Sequence, residues 1–245
     1  MLSSPSPPPT TPAELCLPHV WRVTDLAREE CVVPTGHPAL DRELPGGGWP
    51  VGSLVELLQE RPEAHAWQLL LPALVSWSAR RPGPLVLVGA PYVPFLPSLA
   101  ARGLPAERLL WIRSEAAASR LWAAEQALRC ADVIGLIAWL PQSRAADLRR
   151  LQLAARLHGK LLFVLRGAGQ RLQASPAPLR LLLLGLDDMQ VHVLKRKGPP
   201  LETPVLLPAH PERLAALLAS RRRSVELPVP VEERSHVLDR LVTQG

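Results

Sequence analysis

Residues 53–89 read SLVELLQERPEAHAWQLLLPALVSWSARRPGPLVLVG. The opening six, SLVELL, are an apolar run interrupted by one glutamate and read as a strand. Residues 66–79 (AWQLLLPALVSWSA) read as a helix with Pro72 inside it. Residues 85–89 (LVLVG) are short and uniformly apolar, the pattern of a strand covered on both faces. Strand, helix and buried strand in succession predict a parallel α/β arrangement.

The same rhythm continues downstream. Residues 94–102 read as a short helix and 108–113 (RLLWIR) as a strand. A helix is expected from an N-cap at Ser114 to Cys130, with Ala118, Leu121, Trp122 and Leu128 on its core face. Residues 132–140 (DVIGLIAWL) form a strand ended by Pro141. Ser143 opens a helix to His158 with Leu148, Leu151 and Leu157 inward, and 161–165 (LLFVL) is another buried strand. Then the pattern changes. Residues 179–186 and 189–195, joined by Asp187-Asp188, read as a hairpin, and 203–207 as one more strand. The predicted fold is a mainly parallel sheet flanked by helices, with an antiparallel hairpin extension at one edge.

Upstream, residues 45–50 (PGGGWP) demand a loop of unusual dihedrals. Residues 1–13, rich in Pro, Ser and Thr, are expected to be a disordered tail. Residues 14–32 are expected to form an N-terminal helical segment, 33–223 the domain, and 224–245 a C-terminal tail. Within that domain, 211–223 reads as a terminal helix.

Composition narrows the chemistry. Of 28 basic residues only Lys160, Lys195 and Lys197 are lysines, so no lysine before residue 160 can hold a phosphate or serve as a base. Cys16, Cys31 and Cys130 share no metal-binding spacing, and Cys130 reads as a packed thiol. The N-terminus lacks the basic and apolar regions of a signal peptide, and no run is long enough to span a membrane. The expected location is cytoplasmic. The net charge of +6 is concentrated late in the chain: residues 144–223 hold 15 basic and 5 acidic groups. That excess either attracts nucleic acid or an acidic partner, or is an arginine-rich solvated surface. Arg149, Arg150, Arg221, Arg222 and Arg223 are the candidate contacts. Trp49, in the glycine loop, is either a further contact or that loop's own anchor, whereas Trp67, Trp77, Trp111, Trp122 and Trp139 are expected in the core.

No catalytic or metal constellation emerges. The seven histidines form no HxxxH or HExxH pair, there is no GxSxG, and Asp187-Asp188 reads as a turn. A phosphate loop needs GxxxxGK[ST] between strand and helix, so that backbone amides and a lysine surround the phosphates. Residues 59–66 instead read QERPEAHA. They contain no glycine, lysine, serine or threonine.

The order of motifs is nevertheless familiar. Thr35-Gly36, Leu40-Asp41, Gly46-Gly47-Gly48-Trp49-Pro50 and Gly52-Ser53-Leu54-Val55-Glu56-Leu57 resemble the opening of a RecA-like recombinase core, where such a segment leads into the phosphate loop. The likeness covers roughly residues 33–208. It implies that the loop's glycines, lysine and threonine correspond to Gln59, Ala64, His65 and Ala66. The Mg²⁺-orienting aspartate falls near Ile137, the activating glutamate near Pro91, and the polar sensor at Arg166. Four separate losses argue against hydrolysis. With the LPGGGWP loop and the LLLPAL helix, the chain resembles the ImuA family of translesion DNA synthesis-associated proteins, which is related to the cell-division inhibitor SulA. This resemblance implies a non-enzymatic factor of the SOS response to DNA damage, without cofactor. Its partners would be ImuB (an inactive Y-family-like polymerase) and an error-prone replicative-type DNA polymerase, with RecA and DNA as further candidates. The alternative is a SulA-like inhibitor of the tubulin-like division GTPase.

Overall fold

The computed structural model describes residues 31–61, 65–185 and 188–208. Within them an eight-stranded sheet forms from β3 (Leu54–Gln59), β4 (Leu85–Val88), β5 (Leu109–Ile112), β6 (Gly135–Trp139), β7 (Leu161–Gly167), β8 (Leu179–Leu184), β9 (Asp188–Lys195) and β10 (Val205–Pro208). Their spatial order is β10-β9-β8-β3-β7-β6-β4-β5. From β8 to β5 every neighbouring pair is parallel, while β8–β9 and β9–β10 are antiparallel. The predicted hairpin extension is therefore present. Burial follows the same division. Every residue of β3, β4 and β6 is buried, as the uniform apolar runs require, whereas β9 alternates between buried and more exposed positions.

One sheet face is covered by α2 (Ala66–Arg80), α3 (Leu96–Ala101) and the N-terminal segment. That segment comprises β1 (Val32–Val33), α1 (Pro38–Asp41) and β2 (Trp49–Pro50), with β1 and β2 paired antiparallel as a separate small sheet. The opposite face packs α4 (Ala117–Arg129) and α5 (Ala145–His158) on β4, β6 and β7. Pro72 removes one amide from α2 and so frees the Gln68 carbonyl. The buried His37 ring faces the backbone of Gln68 and Leu69 there. Burial lowers the His37 pKa, and those carbonyls offset only part of that shift.

Several boundaries and faces differ from expectation. Helix α4 starts at Ala117 rather than after Ser114, because the Arg120 Nε–H donates to the Ser114 carbonyl at 2.5 Å and the backbone is still extended at Ala116. Its buried residues are Ala123, Ala124, Glu125, Ala127 and Leu128, with three alanines and Leu128 against the sheet. Trp122, 100° further round than Leu121, is consequently on the outside and 65% exposed, and Ala118 is exposed as well. In α5, Ser143 donates to the Leu140 carbonyl at 2.9 Å instead of capping, and the Asp147 carboxylate accepts the Arg144 amide at 2.9 Å. Leu148 and Leu151 are buried as expected, but Leu157 lies on the far side of the helix and is 80% exposed. Cys130 is exposed rather than packed. The expected tail 1–13, the expected helical segment 14–32 up to residue 30, the helix at 211–223 and the tail 224–245 lie outside the described residues, as does Asp187. Val32, expected at the end of that helical segment, is instead in strand β1, because it pairs with Pro50.

Candidate functional site

In sheets of this kind, ligands sit beyond the carboxyl ends of the parallel strands, where neighbouring strands send their connections in opposite directions. One such point lies between β6 and β4, whose connections run apart toward β7 and β5. A cleft of about 640 Å³ opens at this end of the sheet. Gln59, Gly89, Arg113, Arg120, Trp139 and Arg166 contribute to its walls.

The β3–α2 connection is where a phosphate loop would lie. Gln59 ends β3 buried, with its Oε1 unpartnered. His65 precedes α2 with φ +54°, a left-handed conformation costly for any side chain except glycine's hydrogen. Its Nε2–H donates to the Gly185 carbonyl at 2.8 Å, which ties the connection to the end of β8. Where the motif would place an ammonium, an imidazole thus makes a contact within the protein. Ala66 is buried at the start of α2, and Ala64 lies outside the described residues. Ile137, which the resemblance sets at the place of a Mg²⁺-orienting aspartate, is buried within β6, while Pro91 lines the cleft. Among the described residues, no three His, Cys, Asp or Glu side chains cluster as a metal site would require.

Beside the cleft lies a charge cluster that the sequence reading did not single out. Glu56, fully buried in β3, receives Arg166 Nη1 on Oε1 at 2.8 Å and Arg180 Nε on Oε2 at 2.7 Å. Glu56 and Arg180 are direct cross-strand partners, and Arg166 approaches diagonally from β7. Arg166 Nη2 also donates to the Ser143 carbonyl at 2.7 Å and to the Gln170 side chain at 3.2 Å, and Arg180 Nη2 to the Gln170 carbonyl at 3.1 Å. Burial would raise the Glu56 carboxyl. Hydrogen bonds from Ser175 and Arg166, with the Arg180 charge, outweigh it and hold the pKa below the ordinary carboxylate value. Arg166 therefore has its charge paired inside the protein. A signal was available: Glu56, Arg166 and Arg180 each stand alone in an apolar strand, and a buried charge requires a partner.

The other candidates separate. Trp49 is fully buried and packs edge-on against Phe163, with ring centroids 5.4 Å apart at 87°. It anchors its own loop and offers no surface to a partner, because the Gly46–Gly48 turn folds the indole under the sheet. Arg149 is exposed on α5, whereas Arg150 pairs with Glu125 of α4. Arg221, Arg222 and Arg223 lie outside the described residues.

No protein-family model matches the chain. Protein ImuA of Caulobacter vibrioides, in each of two strains, is 32% identical over 135 residues, covering 52% of this chain and 54% of the relative. The similarity is to ImuA. The chain spans about half the length of the curated relatives it matches.

Proposed function

We propose that this chain is a non-enzymatic accessory protein of damage-induced, error-prone translesion synthesis, built on a RecA-like core that no longer holds nucleotide. One observation carries the reading. Residues 59–66, running on from the end of β3, contain none of the glycine, lysine, serine or threonine of a phosphate loop, and His65 donates to the Gly185 carbonyl. The similarity to Protein ImuA supplies the biological setting. The sheet order, with an antiparallel extension beyond β8, supports the RecA-like ancestry. On this reading the protein acts by contact with ImuB and an error-prone replicative-type polymerase, and RecA or DNA are further partners.

Two measurements test it. Nucleotide bound at a thousand times its Kd would add about 4 kcal/mol of stability and raise the Tm of a domain this size by roughly 10 °C. Millimolar ATP with Mg²⁺ is expected to leave the Tm unchanged, and a shift of that order would restore a nucleotide-binding role. Tagged chain recovered from DNA-damaged cells is expected to bring down the polymerase partners. Recovery of the tubulin-like division GTPase in their place would transfer the protein to the SulA-like class.

A further inference from the structure

Helices lying on a sheet normally turn polar residues to solvent. The outer face of α4 and α5 departs from this. Trp122, Leu153 and Leu157 are 65%, 66% and 80% exposed there. Around them stand Arg129, Arg149, Arg150 and Arg156, all exposed. The one carboxylate in the middle of this face, Glu125, is buried and occupied: its Oε1 holds Arg129 at 2.6 Å and its Oε2 holds Arg150. Asp147 lies at the far end of α5 and accepts the Arg144 amide.

We propose that this face docks an acidic amphipathic helix of a partner protein. Exposed aromatic and aliphatic side chains interspersed with arginine match the centre of protein interfaces. Arg149, Leu153, Arg156 and Leu157 follow the i, i+4, i+7, i+8 spacing of one helical stripe, about 12 Å long. A helix lying along it covers the two leucines and Trp122 with its apolar residues, in the helix-in-groove mode. The occupant must be acidic, because covering four arginines with an uncharged surface would strand cations whose local carboxylate is already shared between two of them. Single-stranded nucleic acid fits less well. Such sites stack successive bases on several aromatic rings, and here one ring stands beside two aliphatic side chains. The inference concerns a face away from the cleft, so it stands or falls separately from the accessory-protein reading.

The test uses the full chain and a labelled synthetic helix of about 18 residues with leucines at i, i+3, i+4 and i+7 and glutamates on its flanks. A matching peptide with lysine for glutamate and a thymidine oligonucleotide serve as controls, and all are read by fluorescence anisotropy. The glutamate peptide is expected to bind at least about tenfold tighter than the lysine peptide, a difference of about 1.4 kcal/mol. The variants Leu153→Ser with Leu157→Ser, and Arg149→Glu with Arg156→Glu, are expected to weaken it by about tenfold or more each. All four side chains are exposed, so the fold should tolerate the changes, and an unaltered Tm confirms that. Failure of the glutamate peptide to bind, or binding indifferent to both variants, overturns the proposal. Oligonucleotide binding lost in the arginine variant and in Trp122→Ala, without peptide binding, would make the face a nucleic-acid surface instead.

Discussion

Glu56 is a carboxylate with no exposed surface, in a strand whose neighbours are leucine and valine. It is tolerable there only because Arg166 and Arg180 occupy both of its oxygens. Removing the charge leaves two buried guanidinium groups uncompensated, so Glu56→Gln is expected to cost about 3–5 kcal/mol at neutral pH. Replacing Glu56, Arg166 and Arg180 together with aliphatic residues of similar volume should cost far less than the single change, since no charge is then stranded. The pH dependence has a definite sign. A carboxyl whose pKa is lower folded than unfolded adds stability above the unfolded value of about 4.3, and that stability is lost as pH falls through the folded value. Urea unfolding of the wild type and Glu56→Gln should therefore show a gap at pH 7 that narrows below about pH 4; a gap constant with pH would refute the ionised triad. His37 acts in the same direction at higher pH. With its pKa lowered by burial, the unfolded chain binds the extra proton first, and stability falls as pH drops below about 6.5.

Among the elements, the glycine turn and the β3–α2 connection are the two where the backbone is most constrained. At Gly48 the constraint is contact rather than dihedral: an added Cβ would lie 2.3 Å from the Val33 carbonyl oxygen, so the β1–β2 pairing admits no side chain. At His65 the dihedral matters, and two effects oppose each other. The left-handed backbone costs about 1–2 kcal/mol for a non-glycine residue, and the hydrogen bond to Gly185 returns about 1 kcal/mol. His65→Ala loses the bond and keeps the strain; His65→Gly loses both. Thermal unfolding is expected to rank His65→Ala below His65→Gly by about 1 kcal/mol. The reverse order would mean that the backbone there is not held left-handed. The existence of these elements was legible in the sequence, because buried parallel strands are runs of apolar residues and their helices fill the gaps between them. Which way α4 and α5 face was not. Trp122 and Leu157 are as apolar as any core residue, and their outward position is set by the alanines of α4 and by Leu148 and Leu151 of α5, which take the contacts with the sheet.

For the molecule as a whole, the sheet predicts a gradient of local stability. Strands β3 and β7 are paired on both sides and covered on both faces, while β5 and β10 are edges, with Leu110 and Leu206 at 50% and 65% exposure. Amide hydrogen exchange is expected to be slowest in β3 and β7 and fastest in β5 and β10; protection in β5 equal to that in β7 would require that edge to be covered. What the amino-acid sequence determined by itself was the α/β class and the make-up of residues 59–66, which hold no glycine, lysine, serine or threonine. Alternating apolar runs leave one way to bury their backbones, and folding cannot put into residues 59–66 a lysine or a glycine that this stretch lacks. The tertiary structure alone decided which charges are spoken for, which tryptophan is hidden and which leucines meet water. Glu56 finds its arginines 110 and 124 residues away, Trp49 finds Phe163 on the face of the sheet it covers, and Glu125 takes Arg150 from the next helix. Such pairings depend on strand order and helix phase, which no local pattern of residue types encodes.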